Sequence, residues 1–223
     1  GGEMANPNKL CESKWKQRTH DTHQQHLESL KERQNTKVLL LGSSMMERFH
    51  TTGVKYKEKF FEPRNVTIAG VGGDGVQHML YRVEQGLLEA CPEGLELIVL
   101  QAGTNNIENS NPEQVANGVQ NLVNEIQKRK PNIRIVVFGL CPRKSSSKKV
   151  NNQKLFEKVK AANSLLANTN NINAFVDVFD EFLKPNGDID PKCYADIVHF
   201  SAIGYGKFAK AIVSAIDTHI QQN

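Results

Sequence analysis

At 223 residues, with 39% hydrophobic and 23% charged residues, the chain is sized for one medium domain able to bury a core without disulfide staples. The net charge of +4 is mild, and the basic residues are spread among acidic ones without aromatic interleaving, which argues against a nucleic-acid partner. Four scattered cysteines, Cys11, Cys91, Cys141 and Cys193, form no CxxC pair, so no metal cluster is expected; free thiols in a reducing, cytoplasmic setting are the simplest expectation.

In chain order, Gly1 to Glu3 ahead of Met4 read as an expression remnant. No charged-then-apolar leader is read there, and no apolar run reaches bilayer-spanning length. The polar stretch 8–35, with Trp15 as its one large anchor, predicts a helix lying on the domain. Residues 1–35 are read as this extension and 36–223 as the main domain. Within the extension His20, His23 and His26 have near-helical spacing but lack Cys or acidic partners at ligand geometry, and they are read as surface residues. Short aliphatic runs then alternate with patterns of period near 3.6. The runs are 37–41, 66–69, 95–100, 133–139 and 174–178; the helical patterns are 76–90, 112–130, 151–167 and 202–220. Asn65-Val66-Thr67 is a glycosylation sequon, discounted because it opens a predicted strand.

Strands that are apolar throughout and alternate with helices predict an α/β fold: a three-layer α/β/α sandwich on a five-stranded parallel sheet. Sites in such sheets form at the carboxyl ends of the strands, which directs attention to five short segments. The first strand runs into Gly42-Ser43-Ser44, where a helix pattern begins at once. Ser44 there is suited to act as a nucleophile, its N–H at the positive end of a helix, or simply to cap that helix. After the second strand comes Gly70-Val71-Gly72-Gly73-Asp74-Gly75, a match to G-x-G-x-x-G. The dinucleotide fingerprint belongs after a first strand, with an acid ending the next one, and neither condition holds, so no nucleotide cofactor is expected. The same glycines allow the Gly73 N–H to approach an oxyanion closely, or form a tight turn with no ligand. After the third strand Asn105 offers a neutral amide donor, or an Asx turn. Near the end, Asp196-Ile197-Val198-His199 lets a carboxylate reach Nδ1 of the imidazole, leaving Nε2 to face a serine.

These four blocks resemble those of the SGNH (GDSL-type) hydrolases: a serine after strand one, a glycine after strand two, Gly103-Thr104-Asn105-Asn106 after strand three, and Asp-x-x-His near the end. Within that family the chain is most similar to the catalytic alpha subunits of intracellular platelet-activating-factor acetylhydrolases. The stretches that carry this are Gly70 to Asp74, Gln77-His78, Gly103 to Asn106 with Glu108-Asn109, and Gly139-Leu140-Cys141-Pro142-Arg143. The resemblance runs from about Trp15 to the last helix. It implies a flavodoxin-like SGNH fold and a serine esterase that removes a short acyl group, acetyl above all, through an acyl-enzyme without a metal. Ser44 would be the nucleophile, His199 the base and Asp196 the orienting acid. The oxyanion donors would be the N–H groups of Ser44 and Gly73 and the side chain of Asn105. A small acyl ester, a phospholipid among the candidates, would be the substrate, and a homodimer the assembly.

Met45, Thr104 and Val198, each beside a site residue, are expected to form a shallow acyl pocket, with Arg143 lining its edge. One departure stands out: the family's Gly-Asp-Ser is here Gly42-Ser43-Ser44, which leaves open how the serine loop is braced and which serine attacks. Alternatives within the chemistry are a carbohydrate deacetylase, a lysophospholipase or a thioesterase; outside it, a non-catalytic interaction module on the same fold. The basic run 142–149 is read as a solvated loop apart from Arg143, and His78 as a packing or hydrogen-bonding helix residue.

Overall fold

The computed structural model of the protein describes residues 5–220, so the segment read as an expression remnant lies outside the described residues. In chain order the elements are α1 (Gln17–Glu32), β1 (Val38–Gly42), α2 (Ser44–Glu47), β2 (Val66–Gly70), α3 (Val76–Glu84), β3 (Leu97–Leu100), α4 (Pro112–Arg129), β4 (Arg134–Phe138), α5 (Asn152–Leu166), β5 (Ala174–Val176) and α6 (Ala202–His219). All five strands are parallel, in the order β2-β1-β3-β4-β5. The expected three-layer α/β/α sandwich is therefore the observed one. No helix among the described residues is long and apolar enough to cross a membrane.

Alternation along each strand divides the interior into two cores. Leu39 and Leu41 of β1 face the layer of α1, α3, α4 and α5, with Met79, Val119 and Val159 among their neighbours. Val38 and Leu40 face the other layer, where Phe49, Phe61, Phe208 and Ile212 pack. Helix starts follow ordinary capping chemistry: Asn111 accepts from the Gln114 N–H at α4, Asn151 from the Gln153 N–H at α5, and Ser201 from the Gly204 N–H at α6.

The helix pattern that begins at Ser44 is α2, four residues long, and residues 48–64 form short helical turns that return the chain to β2. One expectation changes. The histidines of α1 are not surface residues. His23 is fully buried with Nε2 3.0 Å from the Gln85 carbonyl, His20 meets the Tyr81 hydroxyl at 2.8 Å, and His26 is half-buried. The inward stripe of α1 is Thr19, His23, His26 and Leu30, helical in period but mostly polar, so hydrophobicity does not reveal it.

The strand order positions the site. From β1 the chain moves to β2 on one side and then crosses to β3 on the other, so the direction of winding reverses at β1. The crevice at that switch point lies beyond the carboxyl end of β1, where Ser44 stands.

Candidate active site

Ser44 is the first residue of α2 and nearly buried. The turn that carries it rests directly on the end of β2: a Cβ at Gly70 would lie 2.2 Å from the Glu47 nitrogen and 2.7 Å from the Ser43 carbonyl oxygen. Glycine is required there by close backbone approach. Both the Met46 and Glu47 N–H groups donate to the Ser43 carbonyl, which closes the turn.

The Ser44 hydroxyl lies 3.0 Å from His199 Nε2, and His199 Nδ1 lies 2.8 Å from Asp196 Oδ2. The hydroxyl that meets the imidazole is thus that of Ser44, not of Ser43. Asp196 Oδ1 accepts the N–H groups of Val198 and His199 at 2.8 and 2.7 Å, so one carboxylate both folds the turn and holds the ring. Partial burial pushes this carboxyl up, but those two N–H groups and the imidazole outweigh it and hold it at about 2. Arg48 adds a weak ion pair at 4.0 Å. The loop is anchored on either side. Phe200 stacks on Phe182 with ring centroids 4.4 Å apart, and Tyr205 of α6 donates to the Met45 carbonyl at 2.7 Å, which ties the helix that follows His199 to the turn of Ser44.

Gly73 has φ +80, left-handed backbone that favours glycine. Neither its N–H nor that of Ser44 donates to an acceptor among the described residues. Asn105 Nδ2 donates one hydrogen to the Asp74 carbonyl at 2.9 Å, leaving its second available. Its neighbour Asn106 accepts the Val76 N–H at 2.9 Å and fixes the start of α3. His78 serves the same end: its Nδ1 accepts the Gly75 N–H at 2.8 Å, with burial holding its pKa down.

Ser44, Gly73, Asn105, Arg143, Val198 and His199 share one open cavity of about 480 Å³. Two of the expected pocket residues do not line it. Met45 turns into the core with Phe49 and Phe61, because the residue after Ser44 on so short a helix faces the sheet. Thr104 is nearly buried, and its carbonyl accepts Arg143 Nη1 at 2.8 Å. Arg143 is itself buried and pairs with Glu108 at 3.1 Å. Burial pushes its pKa down and Glu108 opposes that. The basic loop beyond it is more engaged than a solvated run: the N–H and hydroxyl of Ser146 both donate to Glu108 at 2.6 Å.

Sequence reasoning missed the polar walls. Arg18 of α1 lines the cavity and pairs with Glu47 at 2.6 Å. It also missed a fully buried Arg82–Asp74 pair beneath the glycine loop. The available signal was Arg82 amid the apolar run of α3, a charge where the helix turns inward.

The sequence profile of the GDSL-like Lipase/Acylhydrolase family matches residues 40–207. Among curated proteins, the platelet-activating factor acetylhydrolase IB subunit alpha1 of Homo sapiens is 32% identical over 181 residues, 80% of this chain and 74% of that one. Among solved structures, a GDSL-like lipase from Bacteroides thetaiotaomicron superposes with a TM-score of 0.71 at 19% identity, covering 89% of this chain and 98% of that one. The acetyl xylan esterase AlAXEase superposes with a TM-score of 0.63 at 19% identity, covering 80% and 98%.

Proposed function

The chain belongs to the GDSL-like lipase/acylhydrolase family and is a carboxylic ester hydrolase, and on that premise we propose that Ser44, His199 and Asp196 are its catalytic triad and remove a short acyl group through an acyl-enzyme. The observation that carries this is the continuous line from carboxylate to imidazole to hydroxyl, 2.8 and 3.0 Å per step. The Ser44 hydroxyl attacks the ester carbon as His199 Nε2 takes its proton, and Asp196 stabilises the imidazolium. The oxyanion that develops is met by the N–H groups of Ser44 and Gly73 and the free hydrogen of the Asn105 amide. Collapse of the tetrahedral intermediate expels the alcohol, which receives the proton from His199. Water, activated by the same imidazole, then releases the acid from Ser44.

An acetyl-sized acyl group suits the cavity because its walls are mostly polar, with Val198 as its aliphatic side chain. Arg18 and Arg48, part-exposed at the wall, suit a leaving alcohol that carries a polar or anionic group, a lysophospholipid with its headgroup among them. The human relative is a platelet-activating factor acetylhydrolase IB subunit, which supports this substrate class, and assembly with further subunits, for the chain as well. The free thiols support a reducing, cytoplasmic location.

The test is hydrolysis of p-nitrophenyl acetate together with fluorophosphonate labelling of purified protein. Turnover and a label on Ser44 are expected; a folded protein with neither ends the proposal.

A further inference from the structure

We infer that the buried Arg82–Asp74 pair, clamped by Thr19 of α1, positions the oxyanion donors, an inference that rests on the acyl-hydrolase reading of Ser44. The Arg82 side chain is wholly enclosed, and its guanidinium makes bonds in three directions. Nε donates to Asp74 Oδ2 at 3.0 Å, Nη1 to the Ala69 carbonyl at 2.8 Å and Nη2 to the Gly42 carbonyl at 2.9 Å. Gly42 closes β1 just ahead of Ser44, Ala69 lies at the end of β2, and Asp74 directly follows Gly73. One planar group therefore spans both strand ends that carry N–H donors. The third donor is tied to the same pair, because Asn105 Nδ2 donates to the Asp74 carbonyl at 2.9 Å. The remaining Asp74 oxygen accepts the Thr19 hydroxyl at 2.5 Å.

The chemistry is costly for a purely structural pin. Enclosing a guanidinium and a carboxylate carries a desolvation penalty that an apolar side chain of similar volume avoids. What an apolar side chain cannot do is fix two carbonyls and a carboxylate at set angles, which is what a set of preorganised donors needs. Thr19 also lies outside the segment matched by the family profile, so a residue of α1 braces the site from beyond that segment. Arg82, Asp74 and Thr19 touch no reacting atom; they are positioning residues.

The experiment compares the wild type with Arg82→Lys, Asp74→Asn and Thr19→Val on p-nitrophenyl acetate, and measures inhibition by a trifluoromethyl ketone that adds to Ser44 as a tetrahedral oxyanion. Expected is a fall in kcat of about 10- to 100-fold for Arg82→Lys and Asp74→Asn, with KM within about twofold. For Thr19→Val, which removes one hydroxyl and leaves the pair, the expected fall is about 3- to 10-fold. The inhibition constant for the ketone should rise by the factor by which kcat/KM falls. A merely structural role would lower the melting temperature while leaving kcat and ketone affinity intact well below it, and that result overturns the inference. Should the charge variants not fold, Thr19→Val alone decides in the same way. A wild type that neither turns over the ester nor labels at Ser44 removes the hydrolase reading and this inference together. An active wild type whose variants match it removes this inference alone.

Discussion

His199 Nε2 stands 3.0 Å from Ser44 Oγ across 155 residues of chain, the imidazole on the loop before α6 and the hydroxyl on the first turn after β1. The Tyr205 hydroxyl on the Met45 carbonyl holds those two elements together from beneath. Ser43 is next to Ser44 in sequence, yet its carbonyl is engaged by the turn and its hydroxyl does not meet the imidazole. Ser44→Ala is therefore expected to lower kcat by about 10⁴-fold or more and to abolish fluorophosphonate labelling. Ser43→Ala should keep kcat within about threefold, because the bonds that close the turn go to the Ser43 backbone carbonyl, which alanine retains. Labelling that survives Ser44→Ala but not Ser43→Ala would reverse the assignment.

Asp196 does two jobs with two oxygens, and a substitution can separate them. Asn in its place can still accept the Val198 and His199 N–H groups, so the turn should persist. It presents no negative charge to Nδ1, and the imidazolium that forms as Ser44 attacks is left without its partner. Asp196→Asn is thus expected to lower kcat by about 10³- to 10⁴-fold with little change in melting temperature. The wild-type carboxyl is held at about 2, so it stays ionised until the pH falls close to that value. Its contribution to stability is present above the unfolded carboxyl pKa and fades as pH falls through about 2. Asp196→Asn with wild-type kcat, or with a melting temperature many degrees lower, would contradict this.

Contact between two turns makes Gly70 a sensitive point. An Ala Cβ there would overlap the Glu47 nitrogen and crowd the Ser43 carbonyl, and both atoms belong to backbone that cannot rotate away. Relief requires α2 to lift off β2 and take Ser44 with it. Gly70→Ala should cost about 1–3 kcal/mol in denaturant unfolding and reduce kcat more than it raises KM. Unchanged stability and rate would show that α2 is not seated as described.

How much of this was legible beforehand follows from what each feature depends on. The parallel sheet shows in uninterrupted apolar runs such as Leu97–Leu100, buried on both faces. The residues of the proposed triad and oxyanion site show as blocks at strand ends, because each is a local run of unusual types. What did not show depends on partners distant in sequence. Nothing local to Thr19, His23 or His26 reveals that their helix face is the inner one, since the stripe lacks apolar content. Met45 was placed in the pocket by adjacency to Ser44, but a four-residue helix rotates consecutive side chains by about 100° each and sends it to the core. Arg143 lines the cavity of Ser44, but its engagement with Glu108 and the Thr104 carbonyl depends on partners that only the fold brings near.

The cavity walls bear on substrate size. Ser44 opens onto a space of about 480 Å³ whose side chains near the hydroxyl are guanidinium, carboxamide and carboxylate groups. A long alkyl chain placed there leaves its methylenes against polar groups that must stay hydrated, and loses roughly 0.8 kcal/mol of transfer energy for each methylene not buried. In a series of p-nitrophenyl esters, kcat/KM should be highest for acetate and at least about tenfold lower for octanoate. Val198→Ala should extend tolerance toward butyrate by removing the aliphatic wall. Preference for octanoate in the wild type would show that an apolar channel lies elsewhere.

Acid should weaken the N-terminal layer before it reaches the triad. His26 faces a cavity of about 280 Å³ that it shares with His50, Arg33, Lys57, Glu47 and Glu62, and its Nδ1 is buried without a partner. Burial first, then the charges of Arg82, His23 and His50, hold its pKa down at about 3. Burial also lowers His23 and His50. A base whose pKa is depressed by folding binds more protons when unfolded, so stability rises with pH across the interval between the two values. For His26 that interval runs from about 3 up to the unfolded value near 6.5; stability is full above it and declines as pH falls, by at most about 1.4 kcal/mol per pH unit for one imidazole. His26→Gln has no proton to gain, so its unfolding free energy plotted against pH should be shallower than that of the wild type between about 6.5 and 4.5. Denaturant titrations at several pH values measure both slopes. Equal slopes would mean that His26 is protonated in the folded protein, and the cavity would then have to supply it with a partner.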